Sequence, residues 1–577
     1  MAPTLRAVTD RAAGAALTAS PRADLVFSVP AVTLGLFLLP VAAGLVGTLL
    51  PAFGWLPALG GERFGLAPWR ALLAEPGLAQ SVRLSLASGL GATLLALLLA
   101  LGFCAACHGT RLFAAARRLL APLLAVPHVS VAIGLAFLVA PSGWIARLLA
   151  PLAGWTLPPD LATLQDRAGL ALTLGLVVKE TPYLLLVAVA ALGQVDAARG
   201  LQVARGLGYG ATAAWLKVVL PQLYPLIRLP VYAVLAFGLS VVDMAMILGP
   251  ATPPPLAPLI LRLASDPDLA RRFPAAAAAC LQLGLALAAI ALWAAAERLV
   301  ARLARPWLAG GGRGAGDALW AGLAGGLMAL AMGLAAAGIL GMGLWSVASA
   351  WRFPALLPTA WTLDNWRRSL AGLAEPLSTS LVVGLVAAGL ALALALGCLE
   401  NEQRRRLARP RRSLWLLYGP LLAPQVSFLF GLQTWLVALG LDGGWAALIW
   451  SHLLFVLPYV FLTLADPYRA LDARYLRTAA CLGATPARIF WRVKLPLLRR
   501  PVLFALATGF SVSLALYLPT VFAGAGRFAT LTTEAVALAA GADRRLIGVG
   551  TFLQAALPLA GFAAALGLSP RHRQATR

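Results

Sequence analysis

Twelve apolar runs, each about as long as the hydrocarbon core of a bilayer demands of a helix, decide what this chain of 577 residues can fold into. They fall at roughly 25–50, 82–104, 119–140, 168–192, 223–248 and 275–296, and again at 318–346, 380–399, 415–440, 445–465, 501–522 and 547–568. The first exceeds a signal-peptide core and counts as a span. Lipid offers the backbone no hydrogen bonds, so the expected fold is all-α and polytopic, with about twelve transmembrane helices. Composition points the same way: 60% of residues are hydrophobic, 12% are charged, and the mean hydropathy is +0.84.

A formal net charge of +24 would point to nucleic acid in a soluble protein. Here the bases lie in short clusters between apolar runs, so they set topology and the lipid bilayer is the partner, with no nucleic acid. Twelve spans leave both termini on one side. That side carries about 30 Lys and Arg in its loops against about 13 on the other, which orients the termini to the cytoplasm. The densest cluster, Arg404, Arg405, Arg406, Arg409, Arg411 and Arg412, is on the basic side. A basic, glycine-rich connector interrupts the pattern midway. The expected domains are a tail at 1–24, a first transmembrane domain at 25–297, a linker at 298–316, a second domain at 317–568 and a tail at 569–577.

The second half repeats the first. Gln202–Pro221 and Arg477–Pro496 align without a gap: Ala204 with Ala479, Leu207-Gly208 with Leu482-Gly483, and Leu220-Pro221 with Leu495-Pro496. Glycine and proline stand thirteen residues apart in both. Asp196 and Asp472 are placed upstream as helix caps. Each copy is basic and lies between two apolar runs, which makes it a short helical elbow outside the bilayer, turned by its glycine and bounded by its proline. Pro127 and Pro424 also precede Gly134 and Gly431 by seven residues each, and Pro182-Tyr183 matches Pro458-Tyr459. Repeats with an even number of spans give two parallel six-helix halves about an axis along the membrane normal.

This pattern resembles the EAA loop of binding-protein-dependent ABC importer permeases, with Gln202 and Arg477 standing where that family carries glutamate. The resemblance implies the MetI-like permease fold, duplicated in one chain, in a bacterial inner membrane. It also implies two cytoplasmic ATPase subunits, one gripping each elbow, and a periplasmic solute-binding protein at the outer mouth. The coupling residues would be Gln202, Ala204, Leu207, Gly208, Leu220 and Pro221 with Arg477, Ala479, Leu482, Gly483, Leu495 and Pro496. The segments Lys179–Leu186 and Tyr517–Leu538 look like the YnjC-type fused permeases, relatives of thiamine and ferric-iron permeases. Tyr517–Leu538 suits a re-entrant or surface-lying segment on the outer side.

No G-x-x-x-x-G-K-[S/T] occurs, and none of the three lysines, Lys179, Lys217 and Lys494, follows a glycine. The chain is therefore expected to be a transport subunit without an ATPase site, cofactor or metal. Cys104, Cys107 and His108 spell a haem-attachment pattern, but on the cytoplasmic face, where it reads as a chance match. For the pathway, buried polar groups are the candidates. His128 and Ser130, with Gln425 and Ser427, would face one another across the axis or else bond between helices. Lys179 and Glu180 point about 100° apart, and Asp243 is an available partner for Lys179, as a structural pair or a substrate site. His452 reads as a packing residue. An ion-driven twelve-helix carrier is the alternative; it explains the repeat but not the elbows. Thiamine-like cations, ferric iron and small oxyanions remain open as cargo.

Overall fold

A computed structural model describes residues 25–568 except 315, 408–412 and 542. Both expected tails and the bases Arg409, Arg411 and Arg412 lie outside the described residues. The fold is helical throughout, apart from two short antiparallel pairs, Trp55–Leu56 with Gly61–Glu62 and Ala348–Ala350 with Ala360–Trp361, which follow the first helix of each half. Among the described residues, ten helices are long and apolar enough to cross a membrane, or eleven when the bent pair Pro486–Leu497 and Arg499–Leu514 is counted as one span. The shorter apolar helix Gln425–Ala438 matches the remaining run.

Several runs end differently from their hydropathy. The third is broken at Val126-Pro127, between Arg111–Ala125 and His128–Val139, because proline has no N–H and forces the preceding residue out of the helical region. The fifth run stops as a helix at Ser240, and the separate short helix Asp243–Leu248 follows. The eleventh likewise stops at Leu514, before Leu518–Gly524. Arg272–Ala309 carries the sixth span well into the expected linker, since its arginines recur at helical spacing.

The first helix of each half packs on the opposite half. Val29–Ala52 lies against Gln425–Ala438, and Asp317–Ser346 lies against His128–Val139. Glycines permit both approaches. A Cβ on Gly431 would sit 1.9 Å from the Gly44 carbonyl oxygen, and one on Gly134 would sit 2.9 Å from the Gly338 carbonyl carbon. Without a hydrophobic drive between helices in lipid, such close backbone contact is what holds them. Pro40 cannot donate to the Leu36 carbonyl, and the Trp450 indole N–H fills that vacancy at 3.0 Å. The Thr48 hydroxyl accepts the Gly431 N–H at 3.0 Å.

On the face opposite the elbows, each half inserts a short helix, Leu256–Ala264 and Leu531–Ala539. The two are anchored alike: the Leu256 N–H donates to the Ser85 hydroxyl at 2.9 Å, and the Leu531 N–H to the Ser380 hydroxyl at 2.8 Å. Glycines and threonines flagged the second insertion, whereas the first is marked only by the Pro253-Pro254-Pro255 run. Buried Arg147 ties the halves together on this face, donating to the carbonyls of Ser142 at 3.0 Å and Arg352 at 2.9 Å, and to that of Ala355.

Candidate functional site

The two elbows are built from the same local chemistry. Asp196 caps Ala197–Gly206 by accepting the Arg199 N–H, and Asp472 caps Ala473–Cys481 by accepting the Arg474 N–H. Both helices end at a glycine of positive φ, +82° at Gly208 and +77° at Gly483, a conformation that side chains resist. Each chain then re-enters a helix, which widens into a π turn at Trp215–Val219 and at Phe490–Lys494. The proline two residues after each turn explains the widening: Pro221 and Pro496 lack the N–H of a regular turn and clash with the carbonyl four residues back.

At the tips Leu207 and Leu482 are 61% and 83% exposed, large apolar side chains left uncovered beside Gly208 and Gly483. Gln202 and Arg477 are exposed on the same helices, whereas Ala204 is buried and Ala479 half-buried. Leu220 and Leu495 are half-buried, and Pro221 and Pro496 are exposed. A cleft of about 450 Å³ runs along the first elbow, lined in part by Asp196, Arg199, Val203, Leu207 and Tyr209.

The elbows differ in how they are fastened. Ala197, Leu201, Ala204, Trp215 and Val219 bury the first elbow in an apolar cluster shared with Ala105. In the second, only Ile489 and Lys494 are buried between Ala473 and Lys494. Lys494, on the π turn, pairs with Glu400 at 2.5 Å and donates to the Gln403 carboxamide oxygen at 2.7 Å. Arg404 also pairs with Glu400, at 2.7 Å, and the Tyr468 hydroxyl donates to it. Counting from the matched serines Ser85 and Ser380, the first-half counterpart of Glu400 is Ala105; counting from the matched elbow glycines Gly208 and Gly483, that of Lys494 is Val219. An ion pair in one half thus replaces an apolar contact in the other. Sequence reading missed Glu400 and Lys494; a lysine within Arg492-Val493-Lys494 looked like one more loop base.

Among the interior candidates, His128 Nε2 lies 3.6 Å from the Glu180 carboxylate. The expected pairing of Lys179 with Asp243 is not formed. Lys179 donates instead to the carbonyls of Val126 at 2.6 Å and Leu124 at 3.4 Å, carbonyls left bare where Pro127 breaks the third span. A cation suits a helix C-terminus. Asp243 sits at the start of its own short helix and accepts the Met244 N–H at 2.9 Å. Nor do Ser130 and Ser427 meet across the axis. Each bonds the last span of the other half: Ser130 donates to Gln554 Oε1 at 2.8 Å, and Ser427 to the Ala279 carbonyl at 2.8 Å. Gln425 is half-buried at the start of its helix. The matched tyrosines Tyr183 and Tyr459 come near each other, and both come near Tyr418 and the Glu180 carboxylate. His452 bonds Ser513 at 2.8 Å and Thr520 at 3.0 Å, one through each ring nitrogen.

A duplicated bundle of membrane-crossing helices, with a protruding elbow at the matched place in each half, defines a polytopic transport protein. Comparison with characterised proteins finds 35% identity over 513 residues to the inner membrane ABC transporter permease protein YnjC of Escherichia coli, covering 86% of this chain and 89% of that one. The molybdenum transport system permease protein ModB of Mycobacterium tuberculosis is 32% identical over 188 residues, 29% of this chain and 70% of its own length. The spermidine/putrescine transport system permease protein PotC of Escherichia coli is 29% identical over 99 residues, 17% of this chain and 38% of its own. No protein-family model matches. The chain belongs to the permease subunits of ABC transporters.

Proposed function

We propose that this chain is the whole transmembrane path of an ATP-driven importer in a bacterial inner membrane, with permease halves at 25–297 and 317–568. The observation that carries the reading is the pair of matched elbows, each presenting an exposed leucine beside a glycine of positive φ. An ATPase subunit docks on each from the cytoplasm, where both termini also lie, and hydrolysis is confined to those subunits. From the first elbow, Ala211–Ser240 runs as one helix of 30 residues, about 45 Å long, to the inserted helix on the far face. A push at the elbow therefore reaches the outer mouth, where a periplasmic binding protein delivers the cargo.

The path runs between the halves past His128, Glu180 and Asp243, with Tyr183 and Tyr459 beside them. Ser130 and Ser427 hold helices together, and Lys179 caps the broken third span. The relatives carry cargo as different as molybdenum and spermidine or putrescine by name, so selection belongs largely to the delivery protein. Replacing Gly208 and Gly483 by leucine strains the left-handed turn by about 1–2 kcal/mol each. The variant is expected to insert normally but to lose both uptake and copurification of the ATPase. Uptake that persists after ATP is depleted, with the ion gradient held, would instead favour an ion-driven carrier.

A further inference from the structure

Position 210 in the first elbow matches position 485 in the second, each two residues beyond the turning glycine. Thr485 does what a helix-capping residue does: its hydroxyl accepts the Arg488 N–H at 3.3 Å. Gly210 has no side chain to offer, although its backbone, at φ −60° and ψ 157°, is one that any residue adopts. Conformation therefore does not require glycine here. Space does: a Cβ on Gly210 would lie 2.7 Å from Asp317 Oδ2.

Asp317, the first residue of the seventh span, fills that place. Its carboxylate accepts the Ala211 N–H at 2.6 Å through Oδ2 and the Thr212 N–H at 3.2 Å through Oδ1. These are the first N–H groups of the 30-residue helix Ala211–Ser240, which has no residue of its own to cap it. The linker just before Asp317 lies along the same elbow. The Gly210 N–H donates to the Arg313 carbonyl at 2.8 Å, and Lys217 donates to the Gly310 carbonyl at 2.6 Å. Gly314, at φ +77°, presses so close that a Cβ there would meet that of Ala213 at 2.7 Å.

We infer that Asp317 is a positioning residue of the first elbow: the start of the seventh span, just past the connector between the halves, supplies from outside the elbow the helix cap that the second elbow makes for itself with Thr485. The linker is thereby part of the coupling apparatus rather than a tether. The inference rests on the proposal that the elbows receive the ATPase stroke, and its test separates the two. The first elbow's helix start is held only while Gly310, Arg313, Gly314 and Asp317 are docked, whereas the second is self-sufficient.

The experiment uses the full chain with its ATPase and binding protein in sealed proteoliposomes, and compares Asp317→Ala, Gly210→Thr and the double variant with the parent. Two quantities are read: amide hydrogen exchange at residues 211–214, and solute taken up per ATP hydrolysed. Asp317→Ala is expected to speed exchange about fivefold, as loss of one cap does, and to lower uptake per ATP. Adding Gly210→Thr, which installs the second half's own solution in the space vacated by the carboxylate, should restore both. Unchanged exchange in Asp317→Ala overturns the inference, and so does failure of the double variant to recover slow exchange. Faster exchange with undiminished uptake per ATP, reversed by Gly210→Thr, upholds the cap and overturns instead the reading of the elbow as the coupling element.

Discussion

The ion pair that fastens the second elbow allows a quantitative test, because its counterpart in the first half is apolar. Replacing Glu400 by Ala leaves the buried Lys494 ammonium with only the Gln403 carboxamide oxygen at 2.7 Å and the face of Tyr468. An uncompensated buried charge costs about 4 kcal/mol. Replacing Lys494 by Val leaves Glu400 still paired with Arg404 at 2.7 Å and bonded by Tyr468. That change loses two charge-assisted hydrogen bonds, to Glu400 and to Gln403, but leaves no buried ammonium behind, and costs about 3 kcal/mol. The double variant puts into the second half the residues found at Ala105 and Val219, and removes both charges of the Glu400–Lys494 pair together. It should be less destabilised than the sum of the single changes by about 2 kcal/mol or more. Reversible unfolding in mixed detergent micelles reads all three, and uptake should follow the same order. Equal losses from the two single variants, or strict additivity in the double, would refute the reasoning.

Gly431→Ala forces a Cβ to within 1.9 Å of the Gly44 carbonyl oxygen, so the two helices must part. Thermal unfolding should drop by the equivalent of about 3 kcal/mol, while Gly333→Ala, with nothing within 4 Å, serves as the neutral control. Ser380→Ala removes the hydroxyl that accepts the buried Leu531 N–H; hydrogen exchange at the start of Leu531–Ala539 should rise by an opening cost of about 1–3 kcal/mol, and unchanged exchange would show that the anchor is idle.

Hydropathy and the repeat were enough to anticipate the long apolar helices and the matched turns at Gly208 and Gly483, because lipid allows helices alone and because the Leu-Gly and Leu-Pro pairs recur in register. What escaped was where an apolar run stops being one helix. Val241, Val242 and Leu516 are as apolar as their neighbours, and only geometry shows that the chain breaks there to insert a second element. The interior was legible as a set of polar residues but not as partners. Lys179 was expected to seek a carboxylate, yet the prolines that break nearby helices leave carbonyls that serve a cation as well. Glu400 and Asp317, both at the ends of spans where charges are commonplace, gave no sign that they reach into the elbows.

The exchange of first helices has a consequence for how the protein is made. Gly44 and Gly431, which touch in the finished molecule, are 387 positions apart. At a ribosomal rate of roughly 5–20 residues per second, Val29–Ala52 waits on the order of 20–80 s in the bilayer before its partner has been translated. Throughout that interval a groove of bare glycine backbone faces lipid or the insertion machinery, so the nascent first half is a client in need of a holding factor. Joining both halves in one polypeptide ensures that the missing helix always arrives, in equal number and in the same patch of membrane.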